Sequence, residues 1–175
     1  MANIAQIIRA DVANGPGLRV SVFLSGCRIH CKNCFQPQVW AFDYGTPADD
    51  DLIHSVIEDV SQPHYQGLSV LGGEPFEPEN QDLLLDLVRR MRSICPDKDI
   101  WVYTGTTLEQ LLDPHDARHT AITEAILHDI DVLVDGPFVQ DEHDIALLYR
   151  GSRNQRLIDM NRFWETHSIY SWSQR

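Results

Sequence analysis

Three of the four cysteines stand within eight residues, Cys27-Arg28-Ile29-His30-Cys31-Lys32-Asn33-Cys34, and nothing else in the chain limits its folding so tightly. Three residues separate the first pair and two the second, so the segment must turn back on itself if the thiols are to share one centre. Such a loop can give three thiolates to three irons of a [4Fe–4S] cluster, which ordinarily takes four Cys. The remaining thiol, Cys95, lies far along the chain, which leaves one iron open to a ligand that is not protein. An open iron is a place for chemistry, whereas a fully ligated one only stores an electron. A structural zinc site with His30 or Cys95 as fourth ligand is the alternative, since zinc also takes Cys and His at short spacings. Spacing favours iron and sulfur, because zinc ribbons usually show two separated Cys pairs. So few cysteines in a chain of this size fit a disulfide framework poorly.

Hydrophobic periodicity places the loop in an α/β chain. Period-2 patterning predicts strands over Ile4–Arg9 and Arg19–Ser25, joined by a Gly/Pro turn at Asn14–Gly17. Further strands are expected at Leu68–Leu71, Ile100–Tyr103 and Asp131–Val134. Between them, apolar residues at helical spacing predict helices opening at Thr46-Pro47-Ala48-Asp49 and running through Val60, over Gln81–Ile94, and over Thr107–Leu112 and Thr120–His128. Strands alternating with helices indicate βα units around a parallel sheet. Cys27, Gly72, Thr104 and Asp135 each follow a strand directly, and ligand sites of α/β folds lie at the carboxyl ends of strands. A complete eightfold barrel needs roughly 200–250 residues. The 175 residues here suffice for a partial (β/α) barrel, open on one side.

The C-x3-C-x2-C spacing resembles the cluster motif of the radical S-adenosylmethionine (SAM) superfamily. Further matches are Asn14-Gly15-Pro16-Gly17-Leu18-Arg19, Gly72-Gly73-Glu74-Pro75, Trp101-Val102-Tyr103-Thr104-Gly105, Asp135-Gly136-Pro137-Phe138 and Arg150-Gly151-Ser152-Arg153-Asn154-Gln155. In this order and at this length the chain is similar to the activating proteins of anaerobic (class III) ribonucleoside-triphosphate reductase, over about residues 8–156. The resemblance implies one radical SAM domain over 1–175, a partial barrel open on one side, with 157–175 as a C-terminal extension. It implies that the open iron is chelated by the amino and carboxylate groups of SAM. It implies reductive cleavage to methionine and a 5′-deoxyadenosyl radical, and a glycyl radical generated on the reductase. A reduced flavodoxin-type protein is the expected electron donor. Activation of another glycyl radical enzyme, of the pyruvate formate-lyase type, and a non-catalytic metal-stabilised docking module are the alternative functions.

Carried over residue by residue, the resemblance makes Cys27, Cys31 and Cys34 the cluster ligands. Asn33, Cys34 and Phe35 are set near the adenine of SAM, with Asn33 giving backbone contacts where relatives often carry an aromatic. Gly72 and Gly73, lacking Cβ atoms, are expected to let backbone carbonyls approach the methionine amino group, and Glu74 either accepts from it or faces solvent. Thr104 and Asp135 sit where ribose or substrate backbone is expected, or Asp135 caps the following turn. Arg153 and Asn154, with Ser152, either bind the SAM carboxylate or, for Arg153, form a surface salt bridge. Asn14, Gly15, Pro16, Gly17 and Arg19 resemble the DGPG-x-R segment of glycyl-radical activases, with Asn for Asp. They line the mouth for the partner's glycine loop, or form a hairpin turn that needs its glycines. Arg28 and Lys32 flank the ligand loop as solvated charges with a modest effect on cluster potential.

The net charge of −12, from 14 Lys and Arg against 26 Asp and Glu, argues against a nucleic-acid partner, because phosphate binding rests on basic patches. No apolar stretch reaches the ~18–20 residues of a spanning helix, and the first ten residues hold no signal-peptide core. A cytoplasmic protein without membrane contact is expected, in a compartment where thiols stay reduced.

Overall fold

A computed structural model describes residues 2–173. Seven strands form one sheet in the order β3-β1-β2-β4-β5-β6-β7. These are β1 (Asn3–Asp11), β2 (Arg19–Leu24), β3 (Thr46–Pro47), β4 (Gly67–Gly72), β5 (Asp99–Tyr103), β6 (Val132–Asp135) and β7 (Arg156–Asp159). The middle four, β2-β4-β5-β6, run parallel, while the pairings β3–β1, β1–β2 and β6–β7 are antiparallel. The result is a mixed α/β sheet with a parallel centre, in which β3 and β7 form unjoined edges.

Strand alternation sorts the side chains onto two faces. Val20, Val22, Leu24, Leu68, Val70, Ile100, Val102, Leu133 and Ile158 pack into one apolar cluster with residues of all five helices. Those helices are α1 (Asp50–Ser61), α2 (Pro78–Ile94), α3 (Leu108–Leu111), α4 (Thr123–His128) and α5 (Met160–Thr166). Asp49 caps α1 by accepting from the Leu52 N–H at 2.8 Å, and a Thr107/Gln110 capping box starts α3. The opposite face carries Trp101, Val132, Val134 and Leu157, against which Tyr103, Tyr149 and Trp172 pack.

Three elements depart from the expectations. Thr46 and Pro47 do not open a helix but pair with Ile4 and Asn3, and α1 starts only after Asp49. No element is expected over β7 and α5, and all but Arg156 of them lies in the region expected as a C-terminal extension. The tail then runs along β7, with the Trp172 N–H donating to Leu157 O at 2.7 Å and the Asp159 N–H to Tyr170 O at 3.0 Å. It covers an edge that would otherwise offer unpaired backbone groups. Its aromatics dock on the chain itself: Trp172 packs edge-on to Trp101, Trp164 stacks on His128, and the Arg162 guanidinium lies over Tyr170.

Candidate functional site

At the carboxyl end of β2 the chain enters a turn that glycine alone fits. Gly26 has φ +93°, and a Cβ there would meet the Phe42 ring at 2.2 Å. The Gly26 and Cys27 N–H groups donate to Val39 O and Trp40 O, so the loop between them is closed at its base. Inside it His30 and Asn33 adopt left-handed backbone, φ 50° and 60°, which Asn and His tolerate better than most residues. His30 stacks on Trp40 at 4.3 Å, and the Cys34 N–H donates to Cys31 O at 3.1 Å. This curl directs Cys27, Cys31 and Cys34 toward one cavity of about 520 Å³. Gly72, Gly73 and Glu74 after β4, and Thr104 and Gly105 after β5, line the same cavity, as do Asn33 and Phe35. Phe138, Gln140, His143 and Arg150, from the segment between β6 and β7, close its far side. Asn33 Nδ2 donates to Gln140 Oε1 at 3.2 Å and ties the two walls together.

Burial raises the Cys27 thiol to about 11, against N–H donors from Ile29 and His30, and burial likewise raises Cys31. Both thiols are therefore protonated at neutral pH until a metal claims them as thiolates. Among the described residues no three His, Cys, Asp or Glu groups are gathered closely enough to hold a single metal ion. Three thiols on the wall of one cavity are the donor type that a [4Fe–4S] group takes, so the donor set fits that group. Cys95 is remote from them. It caps the end of α2 at the amino-terminal side of β5 and is 3% exposed in the apolar core.

The glycine pair also lets two turns pack closely. A Cβ on Gly72 would meet Leu24 N at 2.6 Å, and one on Gly73 would meet Gly26 O at 2.5 Å. Their small size lets the turns after β2 and β4 approach each other, stitched by Gly73 N–H to Leu24 O and Glu74 N–H to Gly26 O, both 2.8 Å. Glu74 does not face solvent. It is fully buried and accepts from Thr104 Oγ1 at 2.7 Å, Phe76 N–H at 2.9 Å and Gly105 N–H at 2.8 Å. Burial pushes its carboxyl up, although these donors and the Arg118 charge pull it down. Thr104 spends its hydroxyl on Glu74 and on the Thr106 N–H, and so holds the β4 and β5 turns together.

Other expected residues lie apart from the cavity wall. Asp135 is buried, accepting from the Leu108 N–H at the start of α3 (2.7 Å) and from Arg156 (2.9 and 2.5 Å). Arg153, with a side chain 68% exposed, pairs with Asp144, and Asn154 Nδ2 donates to Pro137 O at 2.7 Å. Asn14, Gly15, Pro16 and Gly17 precede β2, and since Arg19 pairs with Gly67 at the start of β4 they sit at the amino edge of the parallel strands. Six strand residues separate them from the cysteine loop, roughly 20 Å at the rise of a strand. Arg19 is fully buried beneath that turn, bonded to Ser69 Oγ (2.8 Å), Leu68 O (2.9 Å) and Asp99 (2.5 Å). Arg28 is not simply solvated. It joins Glu77 and Glu79 (2.6 and 2.5 Å) and lies over Phe42, while Arg118 approaches Glu77 from the other side. Sequence reasoning missed Tyr103, Gln140, His143 and Arg150 as wall residues. Arg150 stood inside a quoted motif, but only burial separates it from Arg153.

Comparison with known proteins identifies the family of the chain. Residues 13–158 match the family model described as a 4Fe-4S single cluster domain. The anaerobic ribonucleoside-triphosphate reductase-activating protein of Vibrio cholerae is 41% identical over 155 residues, covering 87% of this chain and 95% of that protein. Its Escherichia coli K12 counterpart is 39% identical over 155 residues (87% and 96%), and that of enterobacteria phage T4 is 31% identical (89% and 92%). On the matching cluster domain and these full-length likenesses, the chain belongs to the family of anaerobic ribonucleoside-triphosphate reductase-activating proteins.

Proposed function

We propose that this chain is a radical SAM activase that cleaves SAM reductively at a [4Fe–4S] cluster and thereby generates the glycyl radical of anaerobic ribonucleoside-triphosphate reductase. The observation that carries the reading is the convergence of Cys27, Cys31 and Cys34 with the Gly72–Glu74 turn and Thr104–Gly105 on one cavity at the carboxyl ends of parallel strands. When bound, the cluster supplies the electron that splits SAM into methionine and a 5′-deoxyadenosyl radical, which takes a hydrogen atom from the partner's glycine. The chain's own residues bind, orient and exclude water. Glu77, held between Arg28 and Arg118, accepts the Arg28 N–H at 2.9 Å and fixes the loop from which the thiols project. Glu74 lines the cavity and is held in place by three donors. Ile29, Val39, Leu71 and Phe138 make the wall largely apolar.

The unjoined edges β3 and β7 agree with a partial barrel, and a wall this open leaves the reacting glycine to be supplied by a folded partner. A reduced flavodoxin-type donor, a cytoplasmic location and the absence of nucleic-acid and membrane contact complete the proposal. No helix among the described residues is long and apolar enough to cross a membrane. The zinc alternative needs a fourth ligand, and its thiol candidate Cys95 is buried in the apolar core at the carboxyl end of α2. Mixed anaerobically with the reductase, SAM and a strong reductant, the protein is expected to produce a glycyl-radical doublet in the paramagnetic resonance spectrum. Turnover of free nucleotide without a partner protein would contradict the proposal.

A further inference from the structure

Among the described residues, eight buried side-chain polar atoms have no hydrogen-bond partner, and two of them belong to residues of the candidate cavity: Tyr103 Oη and Arg150 Nε. Both are donors. A donor withheld from water and left without a protein acceptor costs roughly 1–3 kcal/mol, and both side chains line the cavity without a protein acceptor for these atoms. The tyrosine hydroxyl is neutral and says nothing of the ligand's charge; the arginine does. Arg150 takes part in none of the ion pairs or side-chain hydrogen bonds found among the described residues. Its neighbours in the sequence are committed elsewhere, Arg153 to Asp144 and Arg156 to Asp135 and Glu109. Among the described residues, Arg150 is the arginine of the wall, and its guanidinium has no protein partner.

The same cavity holds one carboxylate, Glu74, and the hydrogen bonds of that group come from Thr104, Phe76 and Gly105, with none from Arg150. A wall with a separate anion and a separate cation suits a zwitterion, with an ammonium or sulfonium toward Glu74 and a carboxylate toward Arg150. A phosphate-bearing ligand would meet one arginine and be repelled by Glu74. The planar fork of a guanidinium matches the two oxygens of a carboxylate and gains a charge-assisted bond in a largely apolar setting. From this, resting on the function proposed above, we infer that Arg150 receives the α-carboxylate of SAM, the place that the sequence had offered to Arg153.

The test compares SAM with decarboxylated SAM on the reconstituted, unreduced protein, so that SAM stays intact, using equilibrium dialysis under anaerobic conditions. Decarboxylation also removes an iron contact, but that loss is common to wild type and variant and cancels in the comparison. Arg150→Gln is expected to weaken SAM by roughly tenfold to a hundredfold, and to change decarboxylated SAM by less than about twofold. Iron and sulfide content are measured alongside. Arg150→Lys keeps the charge without the fork and is expected to fall between wild type and Arg150→Gln for SAM alone, which keeps the test decisive if the glutamine variant does not fold. Equal weakening of both ligands, or no weakening of either, overturns the inference. Wild-type protein that binds neither ligand instead overturns the proposed function beneath it.

Discussion

A buried carboxylate with three donors around it cannot be exchanged for an amide without setting one donor against another. In Glu74, Oε1 faces the Thr104 hydroxyl and the Phe76 N–H, while Oε2 faces the Gly105 N–H. Glu74→Gln keeps one acceptor, and its NH2 then points at Gly105 or at the other pair. The expected cost is about 1–3 kcal/mol in denaturant unfolding, the price of a buried polar group without its partner. A change below about 0.5 kcal/mol would show that this carboxylate does not bind the β4 and β5 turns together. Asp135 and Arg19 make the same point by a different route. Each stands in a motif that the family resemblance attaches to ligand or partner, and each is buried and held by protein contacts.

Connections between elements carry a second set of consequences. The turn before β2 is held by Arg19, whose removal strands the half-buried Asp99 and the Leu68 carbonyl. Arg19→Met is expected to lower unfolding free energy by roughly 2–4 kcal/mol while leaving iron content per folded chain unchanged. Unchanged stability with lost radical formation on the reductase would instead favour the partner-loop role. Arg156 clamps β7 to β6 through Asp135 and to α3 through Glu109. Its hydrogen bond to Glu109 is the main reason that this carboxyl lies at about 2. An acid depressed in the folded state stabilises above its unfolded value near 4.5, and that contribution is lost as pH falls from there toward 2. Glu109 is 60% exposed, so the effect is below ~1 kcal/mol after solvent screening. Glu109→Gln should flatten the acid limb of a stability–pH curve over that interval; an unaltered limb would remove the clamp from the account. The parallel strands were legible as β-rich or apolar runs, most of them closed by glycine or Gly/Pro turns. The two long helices were legible because each carries a 3.6-residue period over enough residues. Thr46–Pro47 and Arg156–Asp159 were not, since neither is an apolar run closed by a Gly/Pro turn, and both become strands by pairing with β1 and β6. In the site, the cysteine loop and the Gly-Gly-Glu turn were visible as spacing. The choice between Arg150 and Arg153 was not, because only the fold of the β6–β7 segment decides which one turns inward.

Among the described residues, the helices cover one face of the sheet, the C-terminal tail covers part of the other, and the cavity lies at the strand ends. The account stands on the claim that three thiols, and no fourth, hold an iron–sulfur cluster there. Metal and sulfide analysis of anaerobically reconstituted protein tests that claim most directly, for wild type, the three single variants Cys27→Ser, Cys31→Ser and Cys34→Ser, and Cys95→Ser. The account predicts about four iron and four sulfide per wild-type chain, the same in Cys95→Ser with a stability loss of about 1–2 kcal/mol, and loss of the cluster in the other three. Tightly bound zinc without iron–sulfur absorbance, or loss of metal on Cys95→Ser alone, would contradict it.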